Sequence, residues 1–273
     1  MLGGAELVEA SSDGEAGDKA RFVRGVEQAL LSEEADVGVH SAKDLPAELT
    51  EGLTLAAVPP REDPHDAWVG VGQSLDDVPE GARVGTASLR RRAQLLAARP
   101  DLQVSELHGN VDTRLRKLAE GELDGIVLAV AGLRRLGRDG EIAFPIPAES
   151  MTPAAGQGAL LLQARSDDEA ALSAIEGLVD GPALREVTAE RAVVALLKAT
   201  CNSPLGVHAV VDLESGQMRI EAFVGLADGS EWLRDSIDGA SSDPTLLGAE
   251  LAKRLLATGA RDLLDRAEQE GSV

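Results

Sequence analysis

Residues 83–130, RVGTASLRRRAQLLAARPDLQVSELHGNVDTRLRKLAEGELDGIVLAV, decide the fold class. Two amphipathic segments of helical periodicity lie in this stretch, Ser88–Ala98, which is stopped by Pro100, and Val111–Ala119. Three short apolar runs beside them have the composition of buried strands: residues 83–86, 102–107 and 125–130. Strands that alternate with helices of this length predict a mainly parallel α/β sheet.

The same alternation extends toward the N-terminus. Arg21–Glu34 has the spacing of an amphipathic helix. Two apolar strands are predicted after it, at residues 36–40 and 53–58. Ser41 with Asp44 three residues later resembles a capping box, which predicts that a helix begins there. The proline-rich residues 59–64 are predicted to form a loop or linker.

Beyond about residue 180 the pattern changes. A long helix is predicted at residues 182–198, and Ala227-Asp-Gly229 has the composition of a hairpin turn. Three strands surround that turn, at residues 207–212, 218–224 and 231–237. Two further helices, at residues 244–256 and 260–268, close the chain. Antiparallel strands followed by helices predict a separate α+β domain.

The composition excludes several classes of function. The 273 residues carry 26 Lys+Arg and 47 Asp+Glu, and a net charge of −21 would repel nucleic acid over most of the surface. One Cys excludes an internal disulfide framework, and the four His lack metal-ligand spacing. No secretory signal and no run of about 18 apolar residues is visible. We therefore expect an acidic, soluble, cytoplasmic protein. Its acidic composition is explained either by a salt-adapted cytoplasm or by a GC-rich genome.

Basic residues are concentrated in one part of this acidic chain. Residues 83–138 hold 11 basic and six acidic side chains. A solvated arginine face on amphipathic helices is one interpretation. However, several basic residues follow predicted strands, where open α/β sheets bind ligands: Lys43, Arg90, Arg91, Arg114, Arg134 and Arg135. Guanidinium groups bind carboxylates and phosphates bidentately, so we expect a ligand with several such groups.

Two other side chains are candidates for chemistry. Asp44 is the acid within the basic strand-end cluster; it either stabilises a developing cation and moves a proton, or caps its own helix. Cys201 lies on the loop Ala-Thr-Cys-Asn-Ser-Pro after a long helix. It is either a small buried apolar residue or a nucleophile and attachment point for a prosthetic group. The sequence has no P-loop and no dinucleotide fingerprint.

Eight motifs occur in order along the chain: His40-Ser-Ala-Lys-Asp-Leu-Pro46, Arg61-Glu-Asp-Pro-His-Asp66, Gly85-Thr-Ala-Ser-Leu-Arg-Arg91, Gly109-Asn-Val-Asp-Thr-Arg114, Leu128-Ala-Val-Ala-Gly-Leu-Arg-Arg135, Pro153-Ala-Ala-Gly-Gln-Gly158, Thr188-Ala-Glu-Arg191 and the Cys201 loop. From about Gly17 to the C-terminus the chain resembles the porphobilinogen deaminase family, also called hydroxymethylbilane synthase. Each motif alone is weak, but eight in order make a chance resemblance untenable.

The resemblance implies a three-domain architecture. Two α/β domains similar to type II periplasmic binding proteins are expected, followed by an α+β domain with an antiparallel sheet. We expect domain 1 at residues 1–59 and 158–178, with its N-terminal part incomplete. Domain 2 is expected at residues 60–157, and the C-terminal domain, which carries the cofactor, at residues 182–273.

The resemblance also implies an activity. Members are transferases that polymerise four porphobilinogen units head-to-tail into hydroxymethylbilane, releasing ammonia, in tetrapyrrole (haem or cobalamin) biosynthesis. Cys201 is expected to hold a dipyrromethane cofactor as a thioether. Asp44 is expected to be the catalytic aspartate, which stabilises cationic pyrrole intermediates and assists proton transfer. Cofactor carboxylates are expected to contact Lys43, Ser41, Ser88, Arg90, Arg91 and Arg114. Substrate is expected to contact Arg135, Lys19 and Phe22. No metal, nucleic acid or membrane is implied, and a monomer is expected.

Two departures from the family pattern stand out. His108 occupies a position where an arginine is usual, which is expected to weaken one carboxylate contact. The family's opening strand and helix carry Arg-x-Ser-x-Leu-Ala-x-x-Gln, and no match is found here. Met1–Ala16 resembles the end of the following strand and its loop. We therefore expect the chain as given to be poorly stable and weakly active, with a misplaced start codon favoured over a degenerate copy.

Two alternatives to the enzyme stay open from sequence. One is a non-catalytic, deaminase-like, two-lobed protein that binds anions. The other is an unrelated transferase that uses Cys201 as its nucleophile. A covalent adduct on Cys201 would separate the enzyme from the binding protein.

Overall fold

The computed structural model describes residues 19–46, 48–200 and 203–270 of the chain. Within them the helices are α1 (Lys19–Leu31), α2 (Leu89–Ala98), α3 (Val111–Ala119), α4 (Val130–Arg135), α5 (Glu169–Ile175), α6 (Gly181–Leu197), α7 (Pro244–Ala257) and α8 (Ala260–Glu270). The strands are β1 (Gly38–Ser41), β2 (Leu53–Ala57), β3 (Asp66–Gly70), β4 (Arg83–Gly85), β5 (Gln103–Ser105), β6 (Gly125–Ala129), β7 (Phe144–Ile146), β8 (Leu160–Arg165), β9 (Leu205–Val211), β10 (Gln217–Gly225) and β11 (Trp232–Ala240). They form three separate sheets.

The stretch that decided the fold class forms a five-stranded sheet of order β5-β4-β6-β3-β7. The pairs β4–β5 and β4–β6 are parallel, as predicted, while β3 is antiparallel to both β6 and β7. Leu95 of α2 packs with Trp68 on one face, and Leu133 of α4 packs with Ile126 on the other. Helices on both faces explain why these strands are continuously apolar.

A three-stranded sheet of order β1-β8-β2 is formed by strands from both sides of that unit in sequence. Strands β1 and β2 come before the unit, and β8 comes after it. The chain leaves this sheet after β2 and returns to it as β8, which runs antiparallel to both neighbours. The expectation of mainly parallel pairing is therefore wrong here, because the returning strand inserts between β1 and β2. Consecutive β8 residues face opposite layers: Leu161 packs with Val23 of α1, and Leu162 packs with Ile175 of α5.

The C-terminal part has the predicted α+β arrangement. Strands β9, β10 and β11 form an antiparallel sheet of order β11-β10-β9. Its core face, with Met218 and Ile220, packs against Leu251 of α7. The predicted hairpin turn is confirmed, with Gly229 in the left-handed region (φ 73°). A Cβ on Gly229 would lie 2.4 Å from the backbone N of Ala97, so this turn is docked against α2.

The predicted fold class, two α/β units and an α+β unit, is confirmed. The domain boundaries remain a prediction. No helix in the described part of the chain combines the length and apolarity that a membrane span requires.

Candidate active site

The start of α2 holds two buried arginines. Ser88 is the N-cap of this helix, and its side chain accepts a hydrogen bond from the backbone N of Arg91. Arg90 is 4% exposed and Arg91 is 6% exposed. Buried guanidinium groups require partners, because removing an unpaired charge from water is costly. The predicted role of Ser88 toward carboxylates stays a prediction, and its observed contact is with its own helix.

Asp66, at the start of β3, is the partner of both arginines. Arg90 donates from Nη1 to Oδ2 (2.7 Å) and from Nη2 to Oδ1 (3.0 Å), and Arg91 donates from Nε to Oδ1 (2.8 Å). Burial alone would raise the pKa of Asp66, but the charges of Arg90 and then Arg91 outweigh it and hold that pKa well below its usual range. Asp66 is fully buried, and the two guanidinium groups favour its ionised form. It lies in a quoted motif, yet it was not among the predicted site residues.

The buried triad of Asp66, Arg90 and Arg91 has one positive charge in excess. Two guanidinium groups face one carboxylate, and their other partners are neutral carbonyls: Arg90 donates to Thr152 O (2.7 Å) and Arg91 to Val127 O (2.9 Å). Burial, followed by the positive charge of Arg91, lowers the pKa of Arg114 on α3. An anion close to Arg91 and Arg114 would relieve this repulsion.

Gln157 connects that triad to the loop after β1. Its Nε2 donates to Pro64 O (2.7 Å) and to Asp66 Oδ1 (3.0 Å), and its Oε1 accepts from Lys43 Nζ (3.5 Å). Its backbone O accepts from Arg61 Nε (2.9 Å). Gln157 therefore joins the segment between β2 and β3 to the segment between β7 and β8, which are the two connections between the first two sheets. Through the side chains of Gln157 and Asp66, Lys43 is linked to Arg90 and Arg91. Sequence reasoning did not assign it a role.

Lys43 and Asp44 lie on a three-residue 3₁₀ turn, Ala42–Asp44. The predicted capping box is wrong: Ser41 ends β1, is exposed, and makes no side-chain cap bond. Gly156 (φ 71°) lies against this turn, where a Cβ would be 2.6 Å from the Cβ of Ala42. Only glycine permits both the left-handed backbone and the close approach. The turn is therefore held against the segment that carries Gln157.

The remaining predicted basic residues divide between this region and the surface. Arg135 donates to Gly158 O (2.7 Å), next to Gln157, and Arg114 donates to Gly109 O (2.7 Å). Arg134 instead pairs with Glu62 at an exposed position (2.8 Å). Others in the basic stretch form exposed ion pairs: Arg83 with Asp124, Arg116 with Glu120, and Arg138 with Asp112. The interpretation as a solvated arginine face thus holds for these exposed residues, whereas ligand binding by the buried ones stays a prediction.

Three predicted residues are not brought into this cluster by any described contact. Phe22 is 49% exposed on α1, and Lys19 begins that helix, with its side chain outside what the structure describes. Cys201 lies outside the described residues. His108 is half-exposed and pairs with Glu106 (2.9 Å) rather than with the arginines.

Family models match most of the chain. Residues 8–173 match "Porphobilinogen deaminase, dipyromethane cofactor binding domain", and residues 184–257 match "Porphobilinogen deaminase, C-terminal domain". The chain belongs to the porphobilinogen deaminase family. The resemblance identified from the eight motifs is therefore confirmed.

Porphobilinogen deaminases of several bacteria are close relatives. The protein from Brevibacillus brevis is 45% identical over 255 residues, covering 93% of this chain and 82% of the relative. The protein from Roseiflexus sp. is 48% identical over 249 residues, covering 91% and 81%.

Among solved structures, the chain is similar to the periplasmic sulfonate-binding protein SsuA from Methylobacillus flagellatus KT, with TM-score 0.34, 16% identity, and coverage of 63% of this chain and 51% of that chain. A second is the substrate binding protein of an amino acid ABC transporter, with TM-score 0.31, 14% identity, and coverage of 56% and 67%.

Proposed function

We propose that this chain is a hydroxymethylbilane synthase that joins four porphobilinogen units head-to-tail and releases ammonia at each addition. One observation carries the proposal beyond family membership: Gln157 and Asp66 connect the Lys43–Asp44 turn to the buried Arg90–Arg91 pair. The turn that carries Asp44 is thus linked through two side chains to the arginine pair that we propose binds carboxylates. Each porphobilinogen pyrrole carries two carboxylates, so the growing chain requires several guanidinium partners.

The described residues fit a dipyrromethane group. The triad of Asp66, Arg90 and Arg91 has a surplus positive charge, and burial together with the charge of Arg91 lowers the pKa of Arg114, so an anion beside these groups would be stabilised. We propose that Lys43, Arg90, Arg91 and Arg114 hold carboxylates of the cofactor, with Ser41 and Ser88 adding hydroxyl contacts. When bound through Cys201, the cofactor supplies the pyrrole carbon that accepts the first incoming unit.

The chain's own residues bind, orient and stabilise charge. Arg135 is proposed to hold substrate carboxylates, and Lys19 and Phe22 to line the entrance. As the aminomethyl group of porphobilinogen loses ammonia, positive charge develops on the pyrrole. The Asp44 carboxylate is proposed to stabilise that charge and then to assist removal of the proton from the pyrrole carbon that has reacted. The buried arginines need not reorganise, because Asp66 already fixes their position.

The finer statements on setting are also proposals. We propose a monomer that acts in the cytoplasm in the pathway to haem or cobalamin. Three domains are proposed, with boundaries near residues 59, 157 and 182. Light scattering coupled to size-exclusion chromatography tests the monomer directly.

Steady-state turnover tests the function. Purified protein is incubated with porphobilinogen, and ammonia release and hydroxymethylbilane formation are measured together. Asp44→Asn keeps the shape of the side chain but removes its charge, so turnover is expected to fall by about 10² to 10⁴. Asp36→Asn is the matched control, because Asp36 is an exposed aspartate of the same sheet unit, where it pairs with Arg165. Binding of porphobilinogen by the parent without ammonia release would favour the non-catalytic alternative.

A further inference from the structure

The chain has only five aromatic residues, and four of them lie in one place. The sequence has three Phe, two Trp and no Tyr. Phe144, Phe223 and Trp232 line a single cavity of about 540 Å³ between the five-stranded sheet unit and the C-terminal sheet. A fourth, Trp68, stacks beneath Phe144 with ring centroids 6.1 Å apart. None of the residues proposed above for tetrapyrrole synthesis lines this cavity.

Phe223 and Trp232 break the pattern of the sheet that carries them. The core face of β10 holds Met218 and Ile220, and the opposite face begins with the polar residues Arg219 and Glu221. Phe223 continues that opposite face. An antiparallel sheet covered by helices on one side is normally polar on the other. An aromatic pair on this side therefore serves a contact outside the C-terminal core.

Trp232 presents an exposed ring that rests on the buried Phe223 (2% exposed), and a charge lies beside the pair. Phe223 and Trp232 stack with centroids 6.1 Å apart, and Trp232 is 51% exposed. The guanidinium of Arg234 lies 5.8 Å from the centroid of Phe223. Arg234 donates to Gln94 Oε1 (3.3 Å) and to the backbone O of Glu149. A guanidinium has five N–H donors, so Arg234 can bind a carboxylate in addition to these neutral oxygens.

The other charges of the cavity limit the ligand. Arg99 is engaged by Asp101 (2.7 Å) and by the carbonyl O of Leu75 (2.6 Å). Asp76 and Glu149 are exposed at the mouth. Two carboxylates there disfavour a ligand with several negative charges. This cavity therefore differs in selectivity from the arginine cluster around Asp66, which suits polycarboxylates.

We propose that this cavity binds a planar aromatic molecule that carries one carboxylate. The ring stacks on Trp232, and the carboxylate is bound by Arg234. Cavities of this size at domain junctions, with aromatic walls and a few polar groups, are typical of small-molecule sites. Because the ligand contacts α2 on one side and β11 on the other, it stabilises the docking of the C-terminal sheet on α2.

Isothermal titration calorimetry of the full chain with 2-naphthoate tests the site. We expect one site per chain that binds 2-naphthoate at least tenfold more tightly than the neutral 2-naphthamide. Arg234→Ala and Trp232→Ala are each expected to weaken binding at least tenfold, and Arg234→Gln to behave as Arg234→Ala. Arg219→Ala is the matched control, because Arg219 pairs with Asp238 on the same sheet face (2.9 Å). It is expected to change the affinity less than twofold.

Two results would overturn the proposal. One is that 2-naphthoate shows no saturable binding at millimolar concentration, although the protein unfolds cooperatively and is therefore folded. The other is binding that survives both Arg234 variants and Trp232→Ala. Porphobilinogen serves as competitor: displacement of 2-naphthoate would place the probe at the arginine cluster and contradict a separate site. These outcomes do not depend on turnover, so they stand apart from the test of the proposed function.

Discussion

Replacing Asp66 with asparagine is expected to destabilise the five-stranded sheet unit strongly. The side chain is fully buried and accepts hydrogen bonds from Arg90 and Arg91, whose side chains are 5% and 8% exposed. The asparagine side chain would fill nearly the same volume but would carry no charge. Two buried guanidinium groups would then face each other with only neutral oxygens as partners.

The magnitude follows from the burial of all three groups. Removing one partner of a buried ion pair costs about 3–5 kcal/mol, because an uncompensated charge stays in the interior. Asp124→Asn is the matched control in the same unit. Asp124 pairs with Arg83, but the side chains are 36% and 46% exposed. Exposed pairs contribute about 0–1 kcal/mol.

The assay is urea unfolding at pH 7, followed by tryptophan fluorescence. In a Trp232→Phe background, Trp68 is the only tryptophan, so the emission reports the unit that contains Asp66. With a urea dependence of about 1–3 kcal/mol per molar, the midpoint is expected to fall by more than about 1 M for Asp66→Asn. It should change little for Asp124→Asn. Equal shifts for the two variants would refute the reasoning.

The same pair of proteins gives a test against pH. The pKa of Asp66 is lowered in the folded state, so its stabilising contribution is present above the unfolded value near 3.9. That contribution is lost as the pH falls toward the folded value. The difference in urea midpoint between the parent and Asp66→Asn should therefore be constant from pH 7 to pH 5 and should narrow below about pH 4.

Two further predictions concern loading and acid stability. Arg91→Ala is expected to yield mostly protein without cofactor, as measured by intact mass. The control Arg116→Ala removes only an exposed pair with Glu120 and should load the cofactor normally. Equal cofactor loading of the two variants would count against the site. His40 is buried, and desolvation lowers its pKa despite its hydrogen bond to Gln163 and the charge of Glu27, so its contribution is present above about pH 6.5 and lost as the pH falls. The urea midpoint of the parent should drop between pH 7 and pH 5 more than that of His40→Gln, and parallel curves would contradict this.

The elements with strong local signals could be predicted from sequence. Ala227-Asp-Gly229 specified its hairpin because a left-handed glycine closes the turn. Strands β3 and β7 were missed. Strand β3 begins directly after the proline-rich loop and His65. Strand β7 has three residues and contains Pro145, which is tolerated because β7 is an edge strand. The helix expected after Ser41 is only a three-residue turn, because Ser41 makes no cap bond and Leu45, which precedes Pro46, already has extended backbone.

The sequence indicated which basic residues belong to the candidate site, but not which side chains they contact. Arg90 and Arg91 were identified, but their partner Asp66 lies 24 residues earlier, and only the tertiary fold brings it to them. Arg134 and Arg135 are adjacent in sequence, yet one contacts Glu62 at the surface and the other contacts Gly158 beside Gln157. Residue type and position after a strand do not determine which of two neighbours points inward.

The most direct test of the central claim is the intact mass of the protein purified from a host that makes porphobilinogen. Cys201 is the only cysteine, so a thioether has one attachment point. The account predicts a mass equal to the unmodified chain plus two porphobilinogen units less two molecules of ammonia, while Cys201→Ser has its unmodified mass. A parent chain that shows only the unmodified mass, both as purified and after incubation with porphobilinogen, would contradict the account.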